Sequence, residues 1–404
     1  MIKCREMNRR KFLQAGAASF VLPSIAGAAS GELVIKGGRV IDPSQRIDKV
    51  ADVLIRGGKI AGIRESVDAK GAEIVDAKGA QIIDARGKIV TPGLIDIHLH
   101  IVDKESPPGR SLMDGVTSVI DGGSRGADNI NESLSIAAAA PNRCRVLINI
   151  AHLGINPGGM GELLSIDAAD VQACRKAVEK HRDQIVGIKA RLSENVAGNH
   201  DVEALRRARL VADPMKIPIM IHMGQTVAPL KDLLQLLRAG DIVTHLYAPP
   251  PHGIMDDSGR ILPEVREARR RGVLFDVGNG RLAHITWEIA ERAMAQDFLP
   301  DTISTDVNGT SRTEQVFDLP NVMSKFLLLG MSLDQVIART TMNSAKAIPE
   351  YKAFGTLRTG AVADVSVLDL RQGQFEFVDN IGGKRIGKQK LFPDAVVFGG
   401  RRAG

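Results

Sequence analysis

After residue 31 the chain reads as short apolar runs broken by turn formers: Leu33-Val34-Ile35 precedes Gly37-Gly38, Val53-Leu54-Ile55 precedes Gly57-Gly58, and Ile82-Ile83 precedes Asp84. Runs of that length predict small antiparallel strands. The same style returns in 360–367 and in Ala395-Val396-Val397-Phe398. The two ends are therefore expected to pair into one β-sandwich domain, residues 30–90 plus 350–404. Between them the rhythm changes to apolar strand, loop and helix, the pattern of βα units around a parallel sheet. Eight strands are predicted: Leu94 to His100, Val116 to Asp121, Val146 to His152, Val186 to Lys189, Ile217 to His222, Ile242 to His245, Val273 to Val277 and Thr302 to Asp306. Leu230, Leu233, Leu234 and Leu237 follow a helical stripe, and Gly240 stands where a helix end would be capped. Eight units predict a closed (β/α)8 barrel, a TIM barrel, over 91–349. The competing open sheet lacks a G-x-G-x-x-G fingerprint after its first strand.

Composition narrows the functions. The 404 residues are 44% hydrophobic, enough for a large core, but only 3% aromatic with Trp287 the single tryptophan, so stacking platforms for nucleic acid are scarce. Residues 1–28 hold five basic side chains against Glu6, a local excess of +4 out of the formal +6, and the remaining +2 is too little for a polyanion-binding surface. That segment has the order of an export signal: a basic start, an apolar stretch from Phe12 to about Ile25, then small residues suited to cleavage. Asn8-Arg9-Arg10-Lys11-Phe12-Leu13 resembles a twin-arginine signal, which assigns 1–29 to a signal peptide and the rest to the periplasm. The stretch falls short of the roughly 20 residues a membrane span needs, and no other segment qualifies. Cys144 and Cys174 lack metal-site spacing and read as buried thiols.

Chemistry concentrates at the predicted strand ends. His98, His100, Lys189, His222, His245 and Asp306 all lie at the C-terminal rim of the expected barrel, where such folds place their sites. Alternate strand residues share a face, so His98 and His100 can chelate one ion together. Lys189 ends the apolar run Ile185-Val186-Gly187-Ile188, and a buried ammonium is costly. It needs either a carboxylate partner such as Asp306 or conversion by CO2 to an anionic carbamate, which burial favours by supplying free amine. Arg191 would share its face if the strand continued and could grip a substrate carboxylate. His152, Tyr247, Asn279 and Asn308 are further candidates for the substrate-binding wall. His181, His200, His252 and His284 fall in predicted helices or loops and read as non-ligands. The glycine-rich loop 156–161 could serve as a lid.

The passage Thr91-Pro92-Gly93-Leu94-Ile95-Asp96-Ile97-His98-Leu99-His100, with Gly187-Ile188-Lys189, Ile221-His222, Thr244-His245 and Ser304-Thr305-Asp306, resembles the amidohydrolase superfamily. Within it, Gly187-Ile188-Lys189-Ala190-Arg191 and Thr305-Asp306-Val307-Asn308-Gly309 are most similar to the dihydroorotase-related, deacetylase-like branch. The resemblance implies two divalent metal ions, Zn2+ first among them. His98, His100 and Asp306 would hold the more buried ion and His222 and His245 the more exposed one, with the Lys189 carbamate bridging both. It implies a hydrolase in which a water shared by the metals attacks an acyl bond and Asp306 is the catalytic proton carrier.

The expected substrate is a small carboxylate-bearing molecule, an N-acyl amino acid or an acylated hydroxy acid. Opening of a cyclic amide, as in dihydroorotase or hydantoinase chemistry, is the alternative. A one-metal deaminase is disfavoured by Lys189, and a metal-free scaffold by the full ligand set. Neither nucleic acid nor a membrane is an expected partner, and assembly into a homo-oligomer stays open.

Overall fold

The structure is a computed structural model that describes residues 32–65, 81–102, 107–156 and 160–403. The expected signal segment and the centre of the glycine-rich loop lie outside the described residues. Five strands open the chain: β1 (Leu33–Asp42), β2 (Ile47–Arg56), β3 (Lys59–Glu65), β4 (Gln81–Asp84) and β5 (Ile89–Pro92). Seven follow in the middle: β6 (Leu94–Leu99), β7 (Val116–Asp121), β8 (Arg143–Asn149), β9 (Ile185–Arg191), β10 (Ile219–His222), β11 (Ile242–Thr244) and β12 (Leu274–Phe275). Three close it: β13 (Val365–Val378), β14 (Lys384–Phe398) and β15 (Arg401–Ala403).

The two chain ends build one sheet, in the order β15-β14-β13-β5-β1-β2-β3 with β4 also on β1. Its joint is the antiparallel pairing of β13 with β5, Val365 opposite Pro92 and Val367 opposite Val90. Leu33, Ile35, Val53 and Val90 from one end share a buried core with Val365, Val367 and Val397 from the other. One expectation is corrected: β4 and β5 run parallel to β1, not antiparallel. The β2–β3 hairpin already occupies one edge of β1, so β4 and β5 take its other edge, where they pair in the same direction.

The middle strands form a parallel sheet in sequence order, β6 to β12. Segment 302–307 closes it into the barrel by parallel bridges, Thr302 to Asp276 on one side and Val307 to Leu99 on the other. Backbone bonds from Gly280 N to Thr305 O at 2.8 Å and from Asp306 N to His98 O at 2.6 Å complete the seam. The eighth strand is thus shorter and less regular than predicted, and β11 stops at Thr244. The physical reason is shared: His245 and Asp306 adopt left-handed backbone conformations, φ 68° and 49°, which end a strand at the residue that carries the chemistry. A second correction concerns Gly240. The leucine helix runs only from Leu230 to Leu236, and Leu237 is already extended. Gly240, at φ 89°, instead turns the chain into β11. Cys144 and Cys174 are free and buried, and burial raises the Cys174 thiol to about 12.

Candidate metal-binding active site

The barrel strands deliver His98, His100, Lys189, His222, His245 and Asp306 to one place. A cavity of about 980 Å³ opens above them, with His98, His100, Lys189, His222 and Asp306 in its lining. Close approach depends on glycines: a Cβ on Gly122 would collide with the His98 ring, and one on Gly123 with the Lys189 side chain. Both follow β7, where the chain must pass directly behind the site.

Two histidines are oriented by matching hydroxyl–carboxylate pairs that the sequence reading did not find. His98 Nδ1 lies 3.0 Å from Thr244 Oγ1, and that hydroxyl donates to Asp276 Oδ2 at 2.8 Å. His100 Nδ1 lies 2.9 Å from Ser124 Oγ, whose hydroxyl donates to Asp121 Oδ1 at 2.5 Å. Each hydroxyl has spent its hydrogen on the carboxylate, so it accepts from the imidazole Nδ1, which leaves both Nε2 lone pairs pointing inward. His245 reaches the same state by another route, with Nδ1 2.8 Å from Gly278 O. Its Nε2 is buried and has no hydrogen-bond partner among the described residues. Burial holds His98, His222 and His245 well below the ordinary imidazole value, so they present neutral donors.

Lys189 is fully buried, with Nζ 3.0 Å from His98 Nε2 and 3.4 Å from Met220 Sδ. Burial lowers its pKa to about 7, so a large share of free amine exists near neutral pH. The alternative of a direct Lys189–Asp306 salt bridge is not seen among the described contacts. Asp306 instead places Oδ1 3.0 Å from His100 Nε2 and 3.4 Å from His98 Nε2.

Neutral imidazoles, a carboxylate and an orphaned buried nitrogen make a donor set that suits a divalent cation. Two groups have ligand atoms close enough to hold one: His98, His245 and Asp306, and His222, His245 and His284. His284 is the unexpected member. Read from sequence as a non-ligand, it lies on the loop after β12, and its ring centroid sits 3.8 Å from that of His245 and 4.9 Å from that of His222. No local sequence signal distinguishes it from the other loop histidines.

The expected wall residues divide. β9 does continue, and Arg191 faces the cavity, but Nη1 is 2.7 Å from buried Glu162 Oε1. Asn308 also lines the cavity and caps the helix Gly309–Glu314 by accepting from Ser311 N at 3.1 Å. Three candidates are corrected. His152 lies beyond the end of β8, bonded to Asp128 Oδ2 at 2.7 Å, because that strand starts and stops three residues earlier than predicted. Tyr247 is wholly buried against Phe326. Asn279 is turned away to accept from Lys325 Nζ at 2.9 Å. His252 is committed elsewhere, with Nδ1 2.7 Å from Thr226 O.

Comparison with known proteins agrees with this geometry. A deacetylase of Enterococcus faecalis is 28% identical over 378 residues, 92% of this chain and 98% of the relative. A crystal structure of an adenine deaminase superposes with a TM-score of 0.81 at 28% identity, covering 92% of this chain and 99% of the other. One of a dihydroorotase does so with the same TM-score at 27% identity, covering 93% and 99%. The sequence pattern of the amidohydrolase family matches residues 89–400, more than three quarters of the length. Barrel, rim and sequence thus lead to one conclusion: the chain belongs to the amidohydrolase family and is a hydrolytic enzyme.

Proposed function

We propose that the protein hydrolyses an acyl bond, amide or ester, of a small carboxylate-bearing molecule such as an N-acyl amino acid or an acylated hydroxy acid. The observation that carries this reading is the convergence of His98, His100, His222, Lys189 and Asp306 on the floor of one cavity whose wall holds guanidinium groups, with the His245 ring packed against those of His98 and His222. The deacetylase name of the bacterial relative points to acyl transfer to water. On the wall, Arg191 is neutralised by Glu162, and Arg125 by Glu132 at 2.7 Å. Arg281 lies 3.8 Å from Glu314, beyond hydrogen-bond reach, which makes it the better placed cation for a substrate carboxylate.

His98, His100 and Asp306 would hold the more buried of two cations, zinc by donor type, and His222 and His245 the more open one, with Lys189 as its carbamate between them. Bound there, the ions would polarise a substrate carbonyl and lower the pKa of water toward neutrality. The chain's own contribution is positional and protonic. Asp306 keeps Oδ1 against His98 and His100 and has Oδ2 3.0 Å from His284 Nδ1, and its carboxylate would take a proton from the attacking water and pass it to the leaving group. The hydroxyl–carboxylate pairs fix His98 and His100 so that no reorientation is needed during turnover. Residues 1–29 are read as an export signal, placing the reaction in the periplasm.

A second reading, opening of a cyclic amide, draws on the dihydroorotase neighbour. A single screen separates the two: N-acetyl amino acids and O-acetyl hydroxy acids against dihydroorotate and hydantoins, with elemental analysis of the purified protein. Turnover only of the cyclic amides would replace the acyl reading with the second. Within an active set, Asp306→Asn is expected to lower kcat by about 10²–10⁴-fold while KM moves little. Near-wild-type turnover by a metal-replete Asp306→Asn protein would remove Asp306 from the proton path.

A further inference from the structure

The loop that brings His284 to the site is built to hold it there. Gly280, at φ 44°, sits where any Cβ would collide with both Asp306 Oδ2 and His284 Nδ1, so the backbone has been kept bare to let these two groups approach. The turn joining β13 to β14 clasps the same loop from outside. Asn380 Oδ1 accepts from Ile285 N at 2.8 Å, Asn380 Nδ2 donates to Gly280 O at 3.0 Å, and Asp379 Oδ2 accepts from Trp287 N at 3.0 Å. His284 is thus fixed on both sides by contacts from the C-terminal hairpin.

The ring it carries has an unmet need. His284 Nδ1 lies 3.0 Å from Asp306 Oδ2, yet it makes no hydrogen bond of proper geometry, although the atom is buried. His245 Nε2, in the adjacent ring, is buried and equally without a partner among the described residues. The ligand atoms of His222, His245 and His284 all fall within 4.8 Å of one another. Nitrogens around one tetrahedral zinc stand about 3.3 Å apart, inside the 4.8 Å limit on these three, and a cation among them would give the orphaned His245 Nε2 a partner.

We propose that His284 is a third imidazole ligand, with His222 and His245, of the more open metal position. This rests on the reading that the site holds two cations, and it departs from the ligand set implied by the family resemblance, which stops at two histidines there. A third neutral ligand strengthens that position without adding charge, and it ties the C-terminal hairpin to metal occupancy through the clasped loop.

The test is metal titration of the metal-free full-length chain with Zn2+ and, separately, Co2+. Wild type is expected to take two equivalents. His284→Ala should keep the first unchanged and bind the second at least tenfold more weakly. His284→Cys should restore the second equivalent and add a thiolate-to-cobalt charge-transfer band that appears only as that equivalent is filled. Second-equivalent affinity within twofold of wild type in His284→Ala, or no such band in a His284→Cys protein carrying two Co2+, would overturn the ligand assignment and leave the two-metal reading standing. Failure of wild type to take up any metal would bring down both.

Discussion

At the scale of single residues, the site depends on which proton each buried group keeps. Lys189 shows this through its pH dependence. Its amine loses a proton near pH 7 in the folded state, whereas an exposed lysine does so near 10.5. Between those values the unfolded chain binds more protons, so the lysine's contribution to stability must rise with pH across that window. Metal-free, CO2-free wild type compared with Lys189→Met should therefore gain stability from pH 7 toward 10.5, with a slope of at most about 1.4 kcal/mol per pH unit, and no slope below 7. Denaturant unfolding at several pH values checks it, and a flat difference would mean the amine is not desolvated. Thr244 gives a second prediction. Thr244→Val keeps the shape but removes the hydroxyl between His98 and Asp276, so His98 loses its tautomer control. Metal affinity is expected to fall about 10–100-fold with little change in melting temperature, as read by chelator competition. The six residues with charged or imidazole side chains were legible because their chemistry is conspicuous on apolar strands. Thr244, Ser124 and Asp276 were not, because hydroxyls and carboxylates are common at strand ends and their function exists only in their pairing.

At the scale of elements, strands were legible by their apolar runs, but their ends were decided elsewhere. β8 slid three residues toward its start and carried His152 out of reach, while left-handed backbone at His245 and Asp306 cut two strands short. The loop after β12 depends on an element far away in sequence, the β13–β14 turn. Asn380→Ala would leave Ile285 N without its side-chain partner in a buried setting and Gly280 O with only the longer bond from Asn279 Nδ2 at 3.3 Å. A loss of about 1–3 kcal/mol in unfolding free energy is expected, with faster amide exchange confined to 280–287. Exchange spread evenly over the barrel would show instead that the hairpin supports the whole fold and not this loop. Lys325 reinforces the same seam, with Nζ 2.9 Å from Asn279 Oδ1, 3.1 Å from Gln315 O and 2.9 Å from Val378 O.

For the whole molecule, the barrel and the sheet from the two chain ends are joined by Arg143, which bonds Asp364 Oδ2 at 2.8 Å and stacks over Phe354 with 3.5 Å to the ring centroid. Our proposal of export is tested on the whole chain: if residues 1–29 are a twin-arginine signal, replacing Arg9 and Arg10 by lysine should retain the protein in the cytoplasm, and cell fractionation showing unchanged periplasmic protein would reject that pathway. The family, the barrel and the meeting of the two ends could be read from sequence alone, because apolar periodicity is local and the metal-type residues stand at fixed places within it. Only the tertiary structure decided how these groups are held and what stands beside them. Tyr247 went into the core, Asn279 turned to Lys325, and His284 arrived from a loop braced almost a hundred residues downstream, since hydrogen-bond partners are chosen by proximity in space, which no local pattern records.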